Sequence, residues 1–187
     1  MYYLGGSYFH GNVGLAKSTK KAARIWKRAS ELGNVEAMAL LGSLYVKGDG
    51  VKLDRKKAIQ LLRTSADGGY ANAQYLLSKE LNNTFLAYAE AEAAKFYRGE
   101  GRDIDENALT ARLSVDHQSP RFNSREVYRY ARLSAEQGFV PAMLSVGHCY
   151  TKGVGVERDL DEARRWLERG AAAGDTHAVA ALEKLNA

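Results

Sequence analysis

One cysteine, Cys149, in 187 residues leaves no partner for an intrachain disulfide, which excludes a small disulfide-stapled fold. Two prolines and no Ser/Pro/Gly-rich run mean no linker, so a single domain over 1–187 is expected. No apolar stretch approaches the roughly 18 residues of a membrane span. Histidine is scarce and scattered: His10, His117, His148 and His177 have no Cys, Asp or Glu partner at ligand spacing, which argues against a metal site. A charged start and an apolar signal region are also missing, because Met1 leads directly into Tyr2-Tyr3-Leu4-Gly5. That favours a cytoplasmic setting, whereas a leader removed ahead of Met1 would place the chain in the periplasm or outside the cell.

What is present is periodic. Ala37–Gly69 aligns without a gap on Ala142–Gly174, with Gly42/Gly147, Tyr45/Tyr150, Gly48/Gly153, Gly50/Gly155, Asp54/Asp159 and Ala58/Ala163 coinciding. Self-similarity over a few tens of residues marks a repeat architecture. Met38, Leu41, Leu44 and Tyr45 fall at helical spacing and give a first helix one buried face. Gly42 sits inside that helix at about 1 kcal/mol against Ala, which makes sense where a neighbouring helix approaches its backbone. Gly48 and Gly50 supply the turn. Asp54 and Asp159 read as N-caps of second helices, and Glu162, three residues after Asp159, completes a capping box. Gly69 and Gly174 close those helices in the left-handed conformation.

Read in order, the chain enters its first repeat midway (Leu4-Gly5, Tyr8, Gly11, Ser18 as cap, Trp26, Gly33), with a turn one residue longer than in the second. The second repeat, 34–69, is nearly ideal. The region 71–138 admits two readings. Spacing of the terminal glycines gives two atypical repeats, near 70–101 and 102–138, with helices near 73–81, 85–98, 105–115 and 124–137. Alternatively, Phe96-Tyr97-Arg98-Gly99-Glu100-Gly101 followed by Asp105 is the true turn of one enlarged repeat. Length and helix parity favour the first reading, and motif likeness favours the second. The last full repeat is 139–174, and 175–185 forms a capping helix. The expected fold is all-α: a right-handed α/α superhelix of about five helix–turn–helix repeats.

The candidate chemistry is thin. His148 and Cys149 are chain neighbours on a helix and point about 100° apart, so they do not make a Cys/His nucleophile. Gly48-Asp49-Gly50 and Gly153-Val154-Gly155 resemble fragments of phosphate loops, but they join two helices and no Gly-Lys-Ser/Thr follows. Asp54 and Asp159 occur once per repeat, as caps do and an acid/base pair does not. Trp26 and Trp166 belong to core faces. No catalytic residue, metal ligand or cofactor signature stands out. The cations are patterned: Lys20/Lys56/Arg125, Lys27/Arg63/Arg132 and Arg24/Arg129/Arg165 occupy equivalent positions and form ridges on the second helices. A solvated surface is one reading, and a site for an acidic protein, a lipid headgroup or nucleic acid is the other; the lack of interleaved aromatics argues against nucleic acid.

The order small–Leu/Val–Gly-x-x-Tyr, Gly-x-Gly-Val, Asp, Ala, Ala-x-x-Gly resembles the Sel1-like repeat, a relative of the tetratricopeptide repeat. That resemblance implies a non-enzymatic adaptor, scaffold or regulator, mostly bacterial, that binds a protein or peptide. It leaves open an immunity or inhibitor protein against a toxic effector, and a hydrolase of the kind suggested for cysteine-rich relatives. By analogy with tetratricopeptide repeats, first helices line the groove. The groove positions are then Tyr2, Phe9 and His10; Ala39, Ser43, Val46 and Lys47; Tyr75, Lys79 and Asn82; and Leu144, His148, Thr151 and Lys152. Asn82-Asn83-Thr84 and 116–122 break the repeat pattern, and departures from local rules tend to mark functional places, so the groove beside Tyr75, Lys79 and Asn82 and the loop with Arg121 and Phe122 are expected to contribute to the partner site; simple drift in a repeat array is the alternative.

Overall fold

A computed structural model describes residues 1–97 and 124–186. Those residues form nine helices and no strand: α1 (Tyr2–His10), α2 (Thr19–Glu31), α3 (Val35–Lys47), α4 (Arg55–Asp67), α5 (Ala71–Tyr97), α6 (Ser124–Glu136), α7 (Val140–Lys152), α8 (Leu160–Ala172) and α9 (Thr176–Asn186). The chain divides into two compact units, Met1–Leu77 and Ser78–Ala187, with the boundary inside α5.

In the first unit α1 packs on α2, α2 on α3 and α3 on α4. Its core joins Ala22, Ala23, Trp26 and Ala29 of α2 to Ala37, Leu41 and Leu44 of α3. Trp26 is 2% exposed, and its indole N–H donates to the Tyr2 carbonyl at 3.1 Å. Small residues set the spacing. A Cβ at Gly5 would run into the Trp26 ring, and one at Gly42 would lie 2.9 Å from Leu62 Cγ and 3.3 Å from the Ala58 carbonyl. In the second unit α6 packs on α7, α7 on α8, and α9 closes against α8. Gly147 repeats the role of Gly42, with Leu167 Cγ 2.7 Å from where its Cβ would stand. Each large side chain so buried, such as Leu41, Leu62 or Leu167, is worth about 1.5–3 kcal/mol.

The expected caps form. Ser18 accepts from the Lys21 N–H, Asp54 from Lys57, and Asp159 from both Asp161 and Glu162. Glu162 does not complete a capping box. The Asp159 N–H donates instead to the Tyr150 carbonyl at 3.0 Å, and the Glu162 carboxylate pairs with Arg165. The same closure recurs where Asp54 N–H meets Tyr45 O (3.0 Å) and Ser18 N–H meets Tyr8 O (2.7 Å). The repeat tyrosine's carbonyl thus takes the bond the box would have made.

The middle departs from expectation. The helix break foreseen between 81 and 85 is absent, and α5 runs unbroken through Asn82-Asn83-Thr84. No glycine or proline interrupts it, and the segment that follows is rich in alanine, the strongest helix former. The polar side chains are satisfied within the helix: Thr84 Oγ1 donates to the Glu80 carbonyl (2.8 Å), and Asn83 Nδ2 to Glu80 Oε1 (3.5 Å). Ser78 stands where Gly42 and Gly147 stand, and its hydroxyl donates to the Val127 carbonyl at 2.9 Å. That carbonyl occupies the place of Ala58 O and Ala163 O against the two glycines. The first-helix contact of α5 is therefore made with α6. The helix expected over 105–115, the Gly99-Glu100-Gly101 turn, Asp105, the Asn123 cap and the 116–122 loop lie outside the described residues.

Candidate functional site

Within the second unit, α5 and α7 border a cavity of about 250 Å3. Lys79 and Asn82 come from one face of α5, three residues apart, and His148 and Lys152 from one face of α7, four apart. The Ser78–Val127 hydrogen bond ties α5 to α6 at this point. Val127 and Val154 supply apolar lining, while Ser145 adds a hydroxyl. Four positions assigned to the groove, two counted from Gly147 and two from Ser78 in the equivalent place, thus line one recess.

Its electrostatics suit binding better than bond-breaking. Burial first, and the Lys152 ammonium second, hold the His148 imidazole below its usual range, so it is neutral at neutral pH. Cys149 is 5% exposed, and burial pushes its thiol up to about 12. A nucleophilic cysteine needs the opposite shift, toward thiolate. Among the described residues no carboxylate lines the cavity, so none of them pairs with His148 there as a general acid or base. What remains is a set of donors, two of them ammonium groups, above an apolar lining. Among the described residues, no three His, Cys, Asp or Glu side chains cluster as metal ligands would.

The other expected groove positions are distributed differently. Thr151 is half-buried, and its hydroxyl donates to the Gly147 carbonyl (2.8 Å) inside its own helix. Tyr75 and Leu144 are half-buried and lie outside the cavity lining. In the first unit Phe9 rests on Trp26, ring centroids 5.5 Å apart, and on His10 at 5.0 Å, while His10 itself is exposed. Burial, and then Tyr70 and Glu36, raise the Tyr2 phenol above its usual range. Lys47 is exposed, and Ser43 and Val46 are half-buried. Ala39, expected in the groove, is fully buried, because α3 is covered on that side too. Arg121 and Phe122 lie outside the described residues. Val127 and Val154 were missed: one belongs to a second helix and the other to a turn, and a rule that reads only first helices does not reach them.

A family model described as the Sel1 repeat matches residues 1–34, 35–70 and 140–175, and so passes over the irregular middle. The chitin synthase regulator SKT5 of Saccharomyces cerevisiae is 26% identical over 194 residues, covering 96% of this chain and 28% of that protein. An uncharacterized protein of Neisseria meningitidis is 25% identical over 163 residues, covering 86% of this chain and 33% of that protein. The chain therefore spans a third or less of the length of these curated relatives. Among solved structures, a Sel1 repeat protein from Oxalobacter formigenes superposes with a TM-score of 0.68 at 23% identity, covering 98% of this chain and 61% of that one. The shared fold is a helical repeat solenoid. Relatives occur in fungi and mammals as well as bacteria, so a bacterial origin is not implied.

Proposed function

The chain belongs to the Sel1-repeat family, and on that premise we propose that it is a non-enzymatic protein-interaction module that holds a partner segment in the recess between α5 and α7. The yeast relative is named as a regulator of chitin synthase, which is in keeping with a regulatory binding role. The observation that carries the reading is the meeting of Lys79, Asn82, His148 and Lys152 around one cavity with an apolar lining. An extended backbone presents carbonyls that lysine and asparagine donors reach, and its side chains can cover Val127 and Val154. The protonated Cys149, and the absence of a carboxylate among the described lining residues, weigh against hydrolysis at the same place.

The experiment is quantitative affinity capture from the source cell with the parent chain, with Lys79→Glu/Lys152→Glu, and with Lys56→Glu on α4, folding being checked by circular dichroism. Loss of the same protein only with the double variant supports the recess. Loss only with Lys56→Glu moves the site to the second helices. Identification of the retained protein as a toxic effector enzyme would make the chain an inhibitor of it.

A further inference from the structure

The joint between one repeat and the next occurs twice in comparable form, and in one copy it is incomplete. A Cβ at Gly50 would press on the backbone of Thr19 and Lys20, and one at Gly155 on the backbone of Ser124 and Arg125. The shift in numbering that carries Gly50 onto Gly155 also carries Tyr45 onto Tyr150, Ala23 onto Tyr128 and Lys27 onto Arg132. In the second unit Tyr128 fills the joint. Its ring meets that of Tyr150 edge-on at 5.5 Å, the two hydroxyls lie 2.7 Å apart, and Arg132 Nη1 donates to the Tyr128 hydroxyl at 3.3 Å. In the first unit Ala23 replaces that tyrosine, and a cavity of about 150 Å3 opens beside Tyr45 and Val51. A cavity of about that size holds a benzene ring. Its rim carries Lys20, Arg24 and Lys27, which share one face of α2 and are all exposed. None of the three pairs with a carboxylate among the described residues, and the acid nearest in sequence, Glu31, bonds to Arg28.

We propose that this cavity is a socket for an aromatic side chain of a partner segment in which carboxylates flank the aromatic residue. The ring takes the space that Tyr128 takes in the other joint. A phenolic hydroxyl there meets Tyr45 and Lys27 as Tyr128 meets Tyr150 and Arg132. The flanking carboxylates meet Lys20 and Arg24, where three cations without acidic partners favour an anionic neighbour. This surface uses none of the residues of the α5–α7 recess.

The test is an amide chemical-shift titration of the labelled full chain with three short synthetic peptides: Glu-Asp-Tyr-Asp-Glu, the same peptide with serine for tyrosine, and Gln-Asn-Tyr-Asn-Gln. The acidic tyrosine peptide should bind about tenfold or more tighter than either control, weaken as salt rises, and shift the amides of Arg24, Tyr45 and Val51. Ala23→Tyr should abolish that binding by filling the socket. Arg24→Gln/Lys27→Gln, which leaves the core untouched, should reduce it to the level of the uncharged peptide and carries the test should Ala23→Tyr fail to fold. Lys79→Glu/Lys152→Glu should leave the peptide-induced shifts of Arg24, Tyr45 and Val51 as they are in the parent. Equal affinity for the serine peptide, shifts confined to other residues, no binding at all, or full binding by Ala23→Tyr or by Arg24→Gln/Lys27→Gln would each overturn the proposal.

Discussion

The joint at Gly50 and the joint at Gly155 share a backbone and differ in their filling. In both, a left-handed glycine (φ 70° and 71°) lies against the start of the preceding second helix. In both, the cap N–H closes on the repeat tyrosine's carbonyl. The space above is then treated differently. Around Gly155, two tyrosines and Arg132 form a hydrogen-bonded cluster. Around Gly50, Ala23 leaves room, and the Lys57 ammonium lies over the tyrosine ring, 4.8 Å from its centre. The glycine and the cap decide how repeats stack, because backbone atoms in contact tolerate no substitution. The residue at Ala23 or Tyr128 faces a gap that stacking does not need filled, so it is free to become a recognition position.

Breaking the shared part should have the largest effect. Gly155→Ala and Gly50→Ala each place a Cβ against backbone at a positive φ, and each should lower unfolding free energy by on the order of 3 kcal/mol in denaturant melts. If only one joint suffered, the two would not be equivalent. Gly42→Leu and Gly147→Leu should each cost about 1–3 kcal/mol by forcing α3 from α4 and α7 from α8. An unchanged melting temperature in both would refute that packing.

Smaller effects separate caps from fillings. Asp54→Ala and Asp159→Ala should each lose about 1 kcal/mol without altering capture of a partner. Ser78→Ala should lose about as much by removing the bond to Val127 that joins α5 to α6. The long first turn offers a gain. Val13 holds φ at 58° while 86% exposed, so Val13→Gly should stabilise by about 1 kcal/mol, read as a raised denaturant midpoint.

The filled joint also has a signature in pH. Burial first, and then the hydrogen bond with Tyr128, push the Tyr150 phenol up to about 12 from 10.0. The folded state therefore holds this proton where the unfolded chain has lost it. Its stabilising contribution is whole below pH 10 and is lost as pH rises toward 12. Tyr150→Phe should flatten the fall in stability over that window. The Cys149 thiol, pushed up to about 12 by burial alone, adds a slope of the same sign that Cys149→Ala should remove.

Much of the architecture follows from local chemistry. The gap-free match of 37–69 on 142–174 declares a repeat, Ser18, Asp54 and Asp159 announce the starts of second helices, and Gly42 and Gly147 mark close approaches before any neighbour is known. Lys79 and Asn82, counted from Ser78, and His148 and Lys152, counted from Gly147, line one cavity. Tertiary structure decided what depends on partners distant in the chain. Whether α5 breaks at Asn82-Asn83-Thr84 is a contest between weak helix formers and an alanine-rich continuation, and the side-chain bonds to Glu80 settle it. That α5 meets α6, through Ser78 and a carbonyl 49 residues away, is a long-range pairing with no local trace. The cavity beside Tyr45 is invisible in sequence for the same reason. Alanine at 23 is as good a helix residue as tyrosine at 128, and only the stacked neighbour shows that the first leaves a space which the second fills.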